Sequence, residues 1–157
     1  MAEGFSSAIA AELLDALLNS DAYDGPTNIY AKLHIGAPGS AGTSNAAGNT
    51  TRQEVTFGAA SGGAISNDAA VTWTSVSTSE DYTHVSLWDH VSAGNFMMSG
   101  TITANAVVAG DTFTIPIGDM DITVTVASSA GRPSGLHLPV VRWDRAWHRL
   151  ELRYGPV

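Results

Sequence analysis

The side chains best suited to chemistry in this sequence are acidic residues and histidines between positions 81 and 90. Asp81, His84, Asp89 and His90 form the densest polar cluster of the chain. In a strand, His84 points to one side and Asp89 to the other, whereas His90 falls in the turn that follows. A metal site needs roughly three or more protein ligands that meet at one point. The pattern therefore favours a surface strand and its turn over a metal site.

Other motifs of catalysis or metal binding are incomplete. Asp119 and Asp121 resemble part of a calcium loop, but two carboxylates are far fewer than the roughly six to eight oxygen ligands that Ca²⁺ takes. The chain contains no cysteine, no serine-hydrolase elbow, no P-loop, and no zinc-protease or dinucleotide-binding motif. We therefore predict a protein that is not an enzyme and uses no cofactor and no metal.

Three aromatic residues could instead line a glycan site. Trp73, Tyr82 and Trp88 fall on or near predicted strands, and a sugar ring could stack on them. Large aromatic side chains on strands more commonly fill a core. We interpret these three as part of the core, with glycan stacking as the alternative.

Charge divides the chain into an acidic body and a basic end. Residues 1–131 hold two basic side chains, Lys32 and Arg52, against thirteen acidic ones, which gives 2 − 13 = −11. Residues 132–157 hold five arginines against Asp144 and Glu151, which gives 5 − 2 = +3. Such a chain can attract copies of itself or dock an acidic partner; the arm could also bind nucleic acid, whereas the body would repel it.

The elements that position these residues begin with a helix. Phe5, Ile9, Leu13 and Leu17 recur every four residues, and Leu14 and Leu18 widen the apolar stripe. A serine at position 6 or 7 can cap its start, and the stretch 19–26 ends it. The helix either packs on its own domain or against another subunit, in which case Leu13 and Leu17 are partner-binding residues.

From residue 28 the hydrophobic period changes to two, which is typical of strands. Ile29, Ala31, Leu33 and Ile35 alternate with Tyr30, Lys32 and His34, and the loop 36–49 that follows could be a surface loop that orders only against a neighbour. Further inward-facing pairs or triplets are Val55 and Phe57, Val71 and Trp73, Val85 and Leu87, Phe113, Ile115 and Ile117, and Ile122, Val124 and Val126.

This spacing predicts an all-β fold, an antiparallel β-sandwich or barrel of about seven or eight short strands. The predicted organisation is an N-terminal helix over 1–25, a β-sandwich domain over 26–127 and a basic, aromatic C-terminal arm over 128–157.

The C-terminal arm fits two templates. As a helix it aligns Val140, Trp143, Trp147, Leu150 and Tyr154 on one face, and as a strand it alternates His148, Leu150, Leu152 and Tyr154 with charged residues. Tryptophan, tyrosine and arginine are enriched at binding hot spots. We therefore predict partner-binding residues in the arm, namely Trp143, Trp147, Arg142, Arg145 and Arg149.

Several segments resemble a small virion protein of siphophages whose members are often called phage tail fibre protein. They are residues 30–43 (YAKLHIGAPGSAGT), 52–63 (RQEVTFGAASGG), 84–89 (HVSLWD), 94–100 (GNFMMSG) and 109–119 (AGDTFTIPIGD). The similarity covers roughly residues 10–126, and Ala37 stands where the usual pattern has an acid. The resemblance implies a non-enzymatic structural component of a tailed-phage virion.

The sequence leaves the place in the virion open. A compact domain without repeats or heptads favours a capsid decoration or minor capsid protein that stabilises the shell. The alternative is a tail-tip or tail-fibre-associated module that binds a host receptor or glycan. Expected partners are the major capsid protein or other virion proteins and copies of itself, for example in a trimer. Glu3 stands where a secretory signal would be positively charged, and no apolar run reaches about 20 residues, so we expect assembly in the host cytoplasm.

Overall fold

The computed structural model describes residues 4–125, except for the side chain of Ala104, and these residues belong to one compact unit that ends at Thr125. The predicted arm lies outside the described residues, and with it the choice between helix and strand for residues 140–154. The same holds for its predicted partner-binding residues, Trp143, Trp147, Arg142, Arg145 and Arg149.

Within the described residues the chain forms one helix and nine strands. In chain order they are β1 (Gly4–Phe5), α1 (Ser7–Leu18), β2 (Ile29–His34), β3 (Gln53–Val55), β4 (Ala64–Ser66), β5 (Val71–Trp73), β6 (Glu80–Trp88), β7 (Phe96–Val107), β8 (Phe113–Ile115) and β9 (Asp121–Thr123). Every pairing is antiparallel. The predicted all-β fold with an N-terminal helix is thus confirmed.

The largest sheet has five strands in the order β1-β7-β6-β2-β3, with β6 at its centre between β7 and β2. Leu33 lies opposite Val85, and Ala31 lies opposite Leu87. These four side chains point to one face and are at most 5% exposed. The alternation that predicted strand β2 therefore places its apolar residues in the core.

Two smaller sheets, β5 with β8 and β4 with β9, complete the sandwich. The ring of Tyr82 on β6 meets the ring of Phe113 on β8 edge-on, with centroids 5.1 Å apart, and Trp73 on β5 lies 5.9 Å from the same ring. Edge-to-face contacts of this kind add to the burial of large rings. The five-stranded sheet and the β5–β8 pair thus share one aromatic core.

Asn67 joins the two smaller sheets from a nearly inaccessible position. Its side-chain nitrogen donates to the carbonyls of Ala69 and Pro116, both at 2.8 Å, and its oxygen accepts from the amides of Gly118 and Met120. The side chain is 1% exposed. All four hydrogen bonds of a buried amide are made, which fixes the β4–β5 connection on the β8–β9 turn.

Some predicted inward-facing residues lie at the surface. Ile35, Ile117 and Val124 are 46%, 65% and 53% exposed, since each follows the last residue of its strand. Once a strand ends, the alternation of its side chains ends too. The short strands β1 and β4 were not predicted.

Candidate interaction surface

The outer face of the five-stranded sheet carries a second buried layer. Loop 36–49 lies against this face: the amide of Ile35 donates to the carbonyl of Asn45, and the amide of Ala47 donates to the carbonyl of Leu33. His34, predicted to alternate outward, is 0% exposed beneath the loop. The loop therefore makes its contacts within its own chain and does not need a neighbour to order it.

His34 links the loop to the sheet through a directed chain of hydrogen bonds. Its Nδ1 lies 2.9 Å from the carbonyl oxygen of Ser44, and its Nε2 lies 2.8 Å from Oγ of Ser86. A carbonyl only accepts, so Nδ1 carries the proton and Nε2 accepts from the Ser86 hydroxyl. The indole nitrogen of Trp88 donates to the same hydroxyl oxygen at 2.8 Å. Each group in this layer has the partner that it requires.

The environment of His34 favours the neutral ring. Burial lowers its pKa, the hydrogen bond to the Ser44 carbonyl raises it, and the positive charge of Lys32 lowers it. The net pKa lies below the ordinary value of histidine. Desolvation penalises the charged form of a buried group, which explains the direction.

The pairing of Ser86 with His34 has the geometry of a nucleophile and its base, and sequence reasoning missed it. The two residues are 52 positions apart, on paired strands. Both side chains are 0% exposed. A nucleophilic serine must reach its substrate, whereas this hydroxyl is enclosed by the sheet and the loop. The pair therefore serves to hold the loop.

Arg52 clamps the β6–β7 turn onto the same layer. Its guanidinium lies 3.8 Å from the centre of the Trp88 ring and donates to the carbonyls of His90 and Ala93 at 2.6 and 2.5 Å. The ring of Phe96 lies 5.6 Å from that indole. A planar guanidinium can stack and donate at once, so one side chain fixes both the ring and the turn.

Two members of the polar cluster, Asp89 and His90, shape the β6–β7 turn, whereas Asp81 and His84 lie within β6. Asp89 accepts from the amide and the side chain of Asn95, and His90 accepts from the amides of Ser92 and Ala93. Within residues 4–125, no three His, Asp or Glu side chains come close enough to hold a metal ion. These polar side chains bind backbone groups of their own loop.

All three candidate glycan-stacking aromatics are buried, but only Trp73 and Tyr82 belong to the core as predicted, whereas Trp88 lies in the layer on the outer face of the sheet. Trp73 and Tyr82 are 0% exposed and Trp88 is 6% exposed. A polar cleft of about 490 Å³ lies instead beside the end of the loop. It is lined by Gly48, Asn49, Thr50, Thr51, Gln53, Thr74, Ser75 and Ser77. Its lining offers hydroxyl and amide groups and carries no charged side chain.

Helix α1 is held to the sheet at its first turn. Gly4 and Phe5 of β1 pair with Ser99 and Met98 of β7, and the amide of Ser6 donates to the carbonyl of Met97 at 2.7 Å. The Ser6 hydroxyl, 8% exposed, caps the helix by accepting from the amide of Ile9. The cap residue is one of the two that the sequence predicted. Strand pairing and cap together fix where the helix begins.

The helix buries one flank and exposes another. Ile9, Ala10, Leu13 and Ala16 are half-buried, and no residue of α1 is fully buried. Leu14, Leu17 and Leu18 are 56%, 76% and 73% exposed. We call these three side chains the leucine face. Of the two helix residues predicted to bind a partner, Leu17 thus belongs to the leucine face, whereas Leu13 is turned towards the flank that packs on the sheet.

The segment that carries the leucine face is acidic. Glu12, Asp15, Asp21 and Asp24 lie in or just after α1, and the first basic residue of the chain is Lys32. The last turn of the helix has no basic side chain.

No helix of residues 4–125, α1 included, combines the length and apolarity of a membrane span.

The family of the chain is shown by its sequence. The family described as podophage GP4 fiber I protein gp80 matches residues 4–123, which span the helix and all nine strands. The match confirms the resemblance to phage tail fibre proteins. No curated protein matches the chain. The chain belongs to the podophage GP4 fiber I protein gp80 family and is a fibre-type structural protein of a bacteriophage virion.

Proposed function

We propose that the chain is a non-enzymatic attachment module of the phage fibre apparatus, joined to other virion proteins through α1. The leucine face carries this proposal. Three leucines that are more than half exposed lie on a helix whose start is fixed by strand pairing and a cap. A contiguous apolar surface that a domain does not bury commonly marks a contact with another protein.

The body supports a structural role. Its buried His34, Ser86 and Trp88 support a loop, and Asp89 and His90 hold a turn. These side chains are thus engaged in keeping the sandwich rigid. In the fibre role, the polar cleft beside residues 48–53 is the place where a neutral host glycan would bind, because its hydroxyl and amide groups can exchange hydrogen bonds with sugar hydroxyls.

A capsid decoration or minor capsid protein is the second candidate. One observation favours it: the described body is a compact sandwich whose only helix has twelve residues, about 18 Å in length. A fibre shaft needs an extended repeat, whereas a lattice protein needs one compact unit with a contact surface. In this role the partner is the major capsid protein, and the leucine face and the arginines and tryptophans of residues 142–149 would bind it.

The copy number of the protein in purified particles tests both roles. We would quantify it by mass spectrometry against the major capsid protein and locate it by immunogold electron microscopy. A few copies at the tail would support the fibre role, and hundreds on the head would support decoration. A protein that is missing from purified particles would refute both.

A further inference from the structure

We propose that the leucine face docks into an apolar groove with a basic rim on a different virion protein. This inference rests on the proposed attachment role and names its partner by chemistry. It begins with the width of the apolar surface of α1. At about 100° per residue, the apolar residues from Ile9 to Leu18 cover roughly 200° of the helix, about twice the stripe that packing on one surface requires. One part of this apolar surface is half-buried in the domain, and the leucine face is the part that stays exposed.

The partner must carry positive charge. The leucine face is bordered by Asp15 and followed by Asp21 and Asp24, with no Lys or Arg before Lys32. The carbonyl of Asp15 accepts from the amides of Asn19 and Asp21, but the carbonyls of the last three helix residues accept no backbone hydrogen bond from residues 4–125. These carbonyls and the helix dipole make the C-terminal end negative. Lysine or arginine on the rim of the groove would pair with the aspartates and with the negative end of the helix.

The same charges disfavour a second copy of α1 as the occupant. Packed helices lie about 8 to 10 Å apart. At about 100° per residue, Asp15 lies about 60° from Leu18 at the edge of the leucine face, so the Asp15 carboxylates of two copies would approach each other, and α1 has no cation to compensate them. A chemically different surface avoids this repulsion.

The test adds the purified full-length protein to particles from a phage whose copy of the gene is disrupted, and measures the protein that sediments with them. The double variant Leu17→Glu/Leu18→Glu should bind about 100-fold more weakly, because two leucines can no longer be buried. Val108→Glu/Ile117→Glu is the matched control, since these residues are similarly exposed, at 63% and 65%. Wild-type binding should weaken with salt, and Asp15→Asn, which removes the charge at the edge of the leucine face, should reduce that dependence.

Two results would overturn the inference. One is normal binding of the leucine variant. The other is self-association of the wild-type protein in sedimentation velocity that the leucine variant abolishes, because the occupant would then be a second copy. If disruption of the gene prevents particle formation, the copy number of each variant in particles from phage that carry it gives the same comparison. Since wild-type copy number tests the attachment role separately, the two proposals can fail independently.

Discussion

Replacing His34 with leucine should weaken the fold by removing the link between loop 36–49 and the sheet. The substitution keeps an apolar volume but deletes both ring nitrogens. The Ser44 carbonyl and the Ser86 hydroxyl, 2.9 and 2.8 Å from the ring, would each lose a partner. A buried polar group left without its hydrogen bond costs about 1–3 kcal/mol. With two such groups, we therefore expect the free energy of unfolding to fall by about 2–6 kcal/mol.

The wild-type protein should also lose stability in acid through the same side chain. Burial holds the pKa of His34 below its ordinary value of 6.5 in the folded state. The unfolded chain therefore binds more protons than the folded one as pH falls below 6.5. The contribution of the neutral ring is complete above that pH and is lost as pH falls towards and through the folded pKa, by at most about 1.4 kcal/mol per pH unit. The His34→Leu variant should lack this slope.

The charged and titratable groups around the His34 ring contribute to the shift of its pKa. Lys32 and His84 disfavour a second positive charge, whereas the carbonyls of Ser44 and Asn45 favour it, and desolvation outweighs each of them. Because Nδ1 already carries the proton that it donates to the Ser44 carbonyl, protonation of the ring adds a proton at Nε2, where the Ser86 hydroxyl now donates. The hydroxyl must then turn away.

Urea unfolding of both proteins between about pH 5 and 8 measures the slope. Hydrogen exchange of the Ile35 and Ala47 amides, which bond across the base of the loop, reports whether the loop opens first. Ser86→Ala supplies a double-mutant cycle with His34→Leu, and coupling of about 1 kcal/mol or more would locate the effect in their shared hydrogen bond. A loss below about 1 kcal/mol, or an unchanged pH slope in the variant, would refute the reasoning.

Two further predictions concern packing. Asn67→Leu should lower the free energy of unfolding by about 2–4 kcal/mol in a urea titration, because four hydrogen bonds of a buried amide are lost, whereas the partly exposed Asn28→Leu should cost under about 1 kcal/mol. Gly42→Ala should lower the melting temperature more than Gly62→Ala does. Both glycines have left-handed φ, 69° and 60°, but only at Gly42 would the added methyl group overlap a neighbour, the ring of Phe96.

Much of the sandwich could be predicted because its strands alternate. The inward pairs of β2, β5 and β6 follow a period of two, and their apolar residues lie in the core. The cap of α1 could be predicted as well, since serine at the start of an apolar periodic run has a specific role. Phe5 was assigned to the helical stripe but belongs to β1, because a two-residue strand has no periodicity to detect.

The buried outer face could not be predicted, since the contacts that cover it carry little sequence signal. Loop 36–49 is held largely by carbonyls and amides that every residue possesses, such as those of Ser44 and Asn45. The contact beneath it, between His34 on β2 and Ser86 on β6, joins residues 52 positions apart. Alternation showed that these side chains share the outer face, but nothing local showed that the face is covered.

In the proposed attachment role, the sandwich orders α1 and α1 carries the contact surface, and this follows from how the helix is stabilised. A helix of twelve residues is marginal alone in water, so α1 depends on its cap, its strand pairing and its half-buried flank. These contacts order α1 before any partner arrives. A surface that is already ordered loses less conformational entropy on binding, and more of the energy of burying the leucine face remains for attachment. The rigid, doubly covered sheet therefore serves attachment indirectly, by holding the start of α1.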